Sequence, residues 1–286
     1  MSFAVFADGT ANLPGSLLDG IRLLPSEYTV DGKPCVYYGD IDHFDPHEYY
    51  EKLRKGTEVK TSLLNTGLFL SHFEPVVKEG TDIVYIAMSS LISGTFSAAQ
   101  TAAASLMEEY PDRLVHIVDS HGCGFGSGML ALKAAELSRN GESCREASRI
   151  LDALVPYCCQ YFTVDDLNFL RRTGRLSGTA ALVGTALNIK PILYGDFDGH
   201  IVSCANCHGR KKAVHMLAEK YKEKHLSEYH RVFISHGDCL EDAEHLKAMI
   251  LEITPDAEIV VCPHEPFSGA HVGPGMLGLF FYGKER

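Results

Sequence analysis

The chain predicts an α/β fold in two domains. Three observations carry this: short apolar runs alternate with helical ones, turn residues close each run, and 286 residues give a soft prior of about two domains. Ser2 to Ala7, Ile83 to Met88 and Leu114 to Val118 read as strands followed by turns. Between and after them come an alanine-rich helix from Phe96 to about Glu109, a small-residue helix after Gly122 and a helix over Ser143 to Cys158. Such alternation builds a mostly parallel sheet flanked by helices.

Beyond about Pro156 the texture changes. Tyr161 to Val164 reads as a short strand, helices are expected within Asp166 to Asn188, and Lys190 to Asn206 looks like a hairpin turning at Asp196-Phe197-Asp198-Gly199. A helix from Arg210 to Lys224, a strand from Arg231 to Ser235, a helix from Asp238 to Ile253 and a strand from Glu258 to Cys262 follow. A hairpin beside alternating strands and helices gives a second α/β domain, with a mixed sheet and helices. The expected division is residues 1–156 and 157–286.

Composition narrows the function classes. With 45% hydrophobic and 22% charged residues the chain is an ordinary globular sequence, and a net charge of -11 disfavours a nucleic-acid partner, whose binding face is basic. No apolar run approaches the roughly 20 residues that span a bilayer, so no transmembrane segment is expected. Met1 leads directly into an apolar strand and Asp8, without a basic and apolar leader, and the nine cysteines are scattered and odd in number. Reduced thiols in a cytoplasmic protein are the expectation.

The densest local signal is the turn Ser89-Ser90-Leu91-Ile92-Ser93-Gly94-Thr95, between a strand and the alanine-rich helix. Four hydroxyls in seven residues and the free N–H groups of a helix N-terminus make an uncharged anion site of carboxylate size. Gly94 permits close approach to the backbone. The same residues also serve as an ordinary helix cap.

Further segments favour binding. The opening VFADGTANLP from Val5 to Pro14, Thr61-Ser62 in EVKTSLLNTG, the Ser93 turn, FLRRTGRLSGTAALVGTALNIKPIL from Phe169 to Leu193 and HVGPGMLGLFFYG from His271 to Gly283 follow one another along the chain. In that order they resemble the motifs of the DegV family, the bacterial fatty-acid-binding proteins, although Gly9 stands where a serine is usual. The resemblance covers essentially the whole chain. It implies a buried long-chain fatty acid as ligand, no other cofactor, and a role as the lipid-presenting subunit of a two-component fatty acid kinase whose ATP-dependent subunit is the partner. It further implies that Thr61, Ser62, Ser93, Gly94 and His271 hold the carboxylate. Arg210, Arg172 and again His271 are assigned by it to the kinase-facing surface or to support of phosphotransfer. No G-x-x-x-x-G-K-[ST] phosphate loop occurs in the chain, which agrees with a phosphate donor carried elsewhere.

Other constellations read more simply. Cys204-Ala205-Asn206-Cys207-His208 has the haem-attachment spacing, but with no export signal and no second cysteine pair it is read as a strand end, with neither haem nor metal expected. Gly122 to Gly128 lacks the third glycine of a dinucleotide fingerprint, Ser127 standing there, and is read as close helix packing. Ser93, Asp119 and His271 occur in the chain order of a hydrolase triad. The glycines of a nucleophile elbow are replaced by Leu91 and Thr95. A Ser93-based hydrolase or acyltransferase, and a lipid carrier or sensor without a kinase, are the alternatives.

Overall fold

The computed structural model describes residues 2–176 and 188–286. In chain order the elements are β1 (Ala4–Asp8), β2 (Ile21–Leu24), β3 (Ser26–Val30), β4 (Lys33–Tyr37), α1 (Pro46–Arg54), β5 (Val59–Thr61), α2 (Thr66–Lys78), β6 (Ile83–Ala87), α3 (Thr95–Glu109), β7 (Val115–Asp119), α4 (Phe125–Arg139) and α5 (Cys144–Leu154). They continue as β8 (Cys158–Thr163), α6 (Asn168–Arg172), β9 (Ile189–Gly195), β10 (Ile201–His208), α7 (Arg210–Lys224), β11 (Arg231–His236), α8 (Leu240–Ile253), β12 (Glu258–Pro263), α9 (Pro266–Val272) and β13 (Leu277–Tyr282).

Every described strand before residue 156 belongs to one of two sheets. The first, in the order β2-β1-β6-β7, is wholly parallel. The second is a small antiparallel sheet, β4-β3-β5. The strands after that residue form a mixed sheet in the order β10-β9-β8-β13-β11-β12.

Burial explains why these runs are strands. All five residues of β1 and of β6 are buried, as expected of parallel strands covered on both faces. On one face α2 and α3 pack through Phe69, Phe73, Ala99, Ala103 and Leu106, whose helical spacing gives one apolar stripe. On the other lies α4, whose Phe125, Met129 and Leu130 share a single core with Val5 and Val84 of the parallel sheet and Phe233 and Phe280 of the mixed sheet. The far face of the mixed sheet is covered by α7 and α8, through Val214, Leu217, Leu246 and Ile250. Helix α4 therefore ties the two large sheets together, and its glycine-rich start is a close-packing device, as the sequence indicates.

The structure differs from the expected elements in places with clear causes. The helix after Ser143 stops at Leu154, because Pro156 supplies no N–H; a short 3-10 turn over Val155–Tyr157 leads into β8 at Cys158. Of the helices expected within Asp166 to Asn188, α6 is described, and residues 177–187 lie outside the described residues, together with that part of the long central motif. The small antiparallel sheet was not anticipated: its strands are half-exposed and include Pro34. Strand β13 was also missed, although it occupies the middle of the mixed sheet, antiparallel to both β8 and β11. Cys204 and Cys207 sit on β10, the bulged edge strand that leads through Gly209 into α7. No helix among the described residues is long and apolar enough to cross a membrane.

Candidate functional site

Strands β6 and β7 end together, and the loops that follow them wall one side of a cavity of about 260 Å3. This is where ligands sit in such sheets, beyond the carboxyl ends of parallel strands. The Ser93 turn contributes Ile92, Ser93 and Gly94, the loop after β7 contributes His121 to Cys123, and the mixed sheet contributes Phe162, Ile201 and Phe280. The lining is chiefly apolar, with polar groups gathered on a few segments.

One such group is the pair Thr61 and His271. Thr61 is the last residue of β5, held opposite Tyr28 in the small sheet. His271 lies in the last turn of α9, and its Nε2 meets Thr61 Oγ1 at 2.9 Å. The other ring nitrogen, Nδ1, is buried without a partner among the described residues. Burial, reinforced by the charges of Arg175 and Arg172, lowers the His271 pKa to about 4. The imidazole is therefore neutral near pH 7 and offers one N–H and one lone pair.

Ser93 and Gly94 face the same space from the other side. Ser93 Oγ donates to Thr95 Oγ1 at 3.0 Å and accepts from Thr95 N at 3.3 Å. Thr95 Oγ1 in turn accepts the N–H of Leu64 at 3.2 Å, which ties the Thr61 loop to the start of α3. Gly94 precedes a helix of 15 residues, whose dipole favours negative charge at this end. Its own N–H makes no bond to the described residues.

Two tyrosines and an acid fix α9. Tyr49 donates to the carbonyl of Pro266 and Tyr50 to that of His264, at 2.5 and 2.9 Å. Glu265 caps the helix, accepting from Phe267 N at 2.6 Å, from Ser268 N at 2.9 Å and from the Ser268 hydroxyl. Glu265 is completely buried, and burial raises its pKa to about 7. His264 bridges Ser235 Oγ and Ser268 Oγ, each at 3.1 Å, and burial lowers its pKa to about 3.

Of the residues singled out in the sequence, Thr61, Ser93, Gly94 and His271 line the cavity together. Ser62 does not: its side chain is exposed and its N–H pairs with the Glu27 carbonyl. Arg172 is exposed and stacks on Phe169 with 4.1 Å between guanidinium carbon and ring centre. The arginine that reaches the cavity is Arg175. Arg210 lies at the start of α7, its Nε 2.8 Å from Asp242 and its Nη1 3.7 Å from Asp165. Ser93, Asp119 and His271 do not form a triad, because Asp119 accepts from Ser90 N and His121 N while His271 meets Thr61.

Sequence reasoning passed over Gln160, Cys123, His264 and Ser268, all of which line the cavity. One signal was available for Gln160, a lone amide inside the apolar run CCQYFTV. The others become visible only when α4 and α9 are brought to the same wall.

Two large sheets clasping a helix, beside a chiefly apolar cavity whose polar lining combines hydroxyls, imidazoles, an amide and the Arg175 guanidinium, define an α/β protein with an enclosed site at the strand ends. The chain belongs to the DegV family: the family described as Uncharacterised protein, DegV family, matches residues 2–284. A DegV domain-containing protein of Clostridium perfringens is 36% identical over 99% of this chain and 98% of its own. Among solved structures, that of DegV, a fatty acid binding protein from Bacillus subtilis, is similar with a TM-score of 0.83 at 29% identity, covering 99% of this chain and 100% of the other. A structure describing fatty acid binding of a DegV family protein from Thermus thermophilus gives a TM-score of 0.86 at 27% identity, with coverages of 99% and 100%.

Proposed function

We propose that this protein binds a long-chain fatty acid in the cavity and presents its carboxylate to a partner kinase that forms the acyl phosphate. The observation that carries the reading is the meeting of Thr61, Ser93, Gly94 and neutral His271 around one part of an otherwise chiefly apolar space. The fatty acid binding of the relatives from Bacillus subtilis and Thermus thermophilus supports it.

The energetics favour this division of labour. Burying about 15 methylenes at about 0.8 kcal/mol each contributes roughly 12 kcal/mol gross, from which association entropy and ordering remove about 4 kcal/mol or more. A bare buried carboxylate costs far more than it gains, so it must be hydrogen-bonded. Hydroxyls, an imidazole N–H and a helix N-terminus supply these bonds, and the Arg175 charge that reaches the cavity adds to them. A carboxylate oxygen held this way remains a nucleophile for a γ-phosphate.

In this reading Thr61, Ser93, Gly94 and His271 bind the head group, while Arg172 and Arg210 face the kinase. The exposed Ser62 borders the same loop. We take the units as residues 1–156 and 157–286, with the cavity between them, and a cytoplasmic location where ATP and the kinase are available. Native mass spectrometry of protein purified from cells tests the reading directly. A co-purifying acid of long chain supports it; an empty protein that also ignores added long-chain acids in calorimetry overturns it.

A further inference from the structure

Gln160 is a cavity-lining polar residue that the proposed head-group site does not use. It stands within β8, 8% exposed, and its amide orientation is set by its partners. Oε1 accepts the N–H of Cys123 at 3.3 Å, and Nε2 donates to the His121 carbonyl at 2.7 Å. A primary amide carries two N–H donors, so one Nε2 hydrogen has no acceptor among the described residues. Room is left for this side chain on two elements. A Cβ on Gly126 would come within 2.6 Å of Oε1, and one on Gly195 within 2.3 Å of Nε2. Any larger residue at either position would displace the amide.

A polar stripe leads from the head-group site to this donor. His271 and Ser268 are three residues apart on α9 and so share a face. The Ser268 hydroxyl meets the Cys123 thiol, and the Cys123 N–H meets Gln160. All four line the cavity. His264 and Ser268 satisfy each other and Glu265 along this wall, so away from the head-group residues the Gln160 N–H is a donor with spare capacity. Solvent satisfies such a donor until a ligand displaces it. A saturated chain then leaves it bare, and an unmet buried donor costs more than a made bond contributes.

We propose that the cavity prefers an oxygenated acyl chain, a hydroxy or oxo fatty acid, over the saturated acid of equal length, with Gln160 Nε2 donating to the chain oxygen. This rests on the fatty-acid reading above. The test is calorimetric binding of octadecanoic acid, of hydroxyoctadecanoic acids with the hydroxyl walked along the chain, and of a cis-unsaturated acid of the same length, to the wild type and to Gln160→Met. The wild type should bind one or two hydroxyl positions roughly tenfold more tightly than the saturated acid. The variant should lose that advantage while still binding the saturated acid. Equal affinities across the wild-type series, a preference that survives in Gln160→Met, or an equal gain from the cis bend alone would each overturn the proposal. The wild-type comparison decides even if the variant does not fold. If no acid binds at all, it is the fatty-acid reading that fails.

Discussion

In the proposed site Thr61 and Ser93 hold the carboxylate through their hydroxyls, beside Gly94 and His271. A hydrogen bond to a charged group contributes about 1.5–3 kcal/mol, so Thr61→Ala and Ser93→Ala should each weaken fatty-acid affinity roughly ten- to a hundredfold while leaving the fold intact. Calorimetry with circular dichroism on the same samples checks this, and unchanged affinity in the double variant removes both from the site. His271 offers a sharper probe. Its pKa is lowered to about 4 by burial and by the positive charges of Arg175 and Arg172. A bound carboxylate beside the ring favours the charged form, so the midpoint should rise on ligand binding. An NMR titration of the imidazole with and without acid reads this shift. A midpoint that stays put would mean that the carboxylate sits elsewhere.

Helix α9 shows how an element can carry a pH dependence. Its cap, Glu265, has a folded-state pKa raised from 4.5 to about 7. Between those values the folded state holds a proton that the unfolded state has released, so this group's contribution to stability falls as pH rises through the window. Asp8, raised from 3.8 to about 6 by burial, acts in the same direction. His264 and His271 act oppositely: neutral when folded and protonated when unfolded, they lower stability as pH falls below 6.5. Glu265→Gln removes one of these titrations. Relative to wild type the variant should gain stability as pH rises from about 5 to about 8, by an amount on the order of 1–3 kcal/mol. Urea unfolding at the two pH values measures it, and a difference that does not change with pH would show that Glu265 stays ionised throughout. The elements themselves were unequally legible. Helix α7 begins and ends where the sequence put it, at Arg210 and Lys224, because a glycine and a change of texture bracket it. The small sheet bearing Thr61 was not, because Ser26–Val30 and Lys33–Tyr37 carry no clean apolar alternation, so period-two reasoning has nothing to count.

At the scale of the whole molecule, the proposal separates holding the lipid from handing it over. Arg210 is away from the cavity lining and is neutralised by Asp242 at 2.8 Å, with Asp165 3.7 Å away. Because Arg210 is away from the lining, Arg210→Ala should leave lipid affinity nearly unchanged, and on the proposed kinase-facing role it should strongly reduce acyl-phosphate formation with a cognate kinase, a loss seen in turnover and not in binding. Calorimetry and labelled-ATP turnover on one preparation give both quantities. Equal losses would move Arg210 into the lipid site, and unaltered turnover would remove it from the mechanism.

The sequence by itself determined the α/β class, three of the four strands of the first parallel sheet, the family and the turn that holds Ser93. These are local properties: burial on both faces writes an apolar run, and the start of a helix writes small residues and hydroxyls. Only the tertiary structure decided that Thr61 and His271 touch across 210 residues, that β13 belongs in the middle of the mixed sheet, and that Gln160 looks into the cavity past Gly126 and Gly195. Each of these is a pairing between segments far apart in the chain. No periodicity or composition records such a pairing, because it exists only once two sheets have closed on the helix between them.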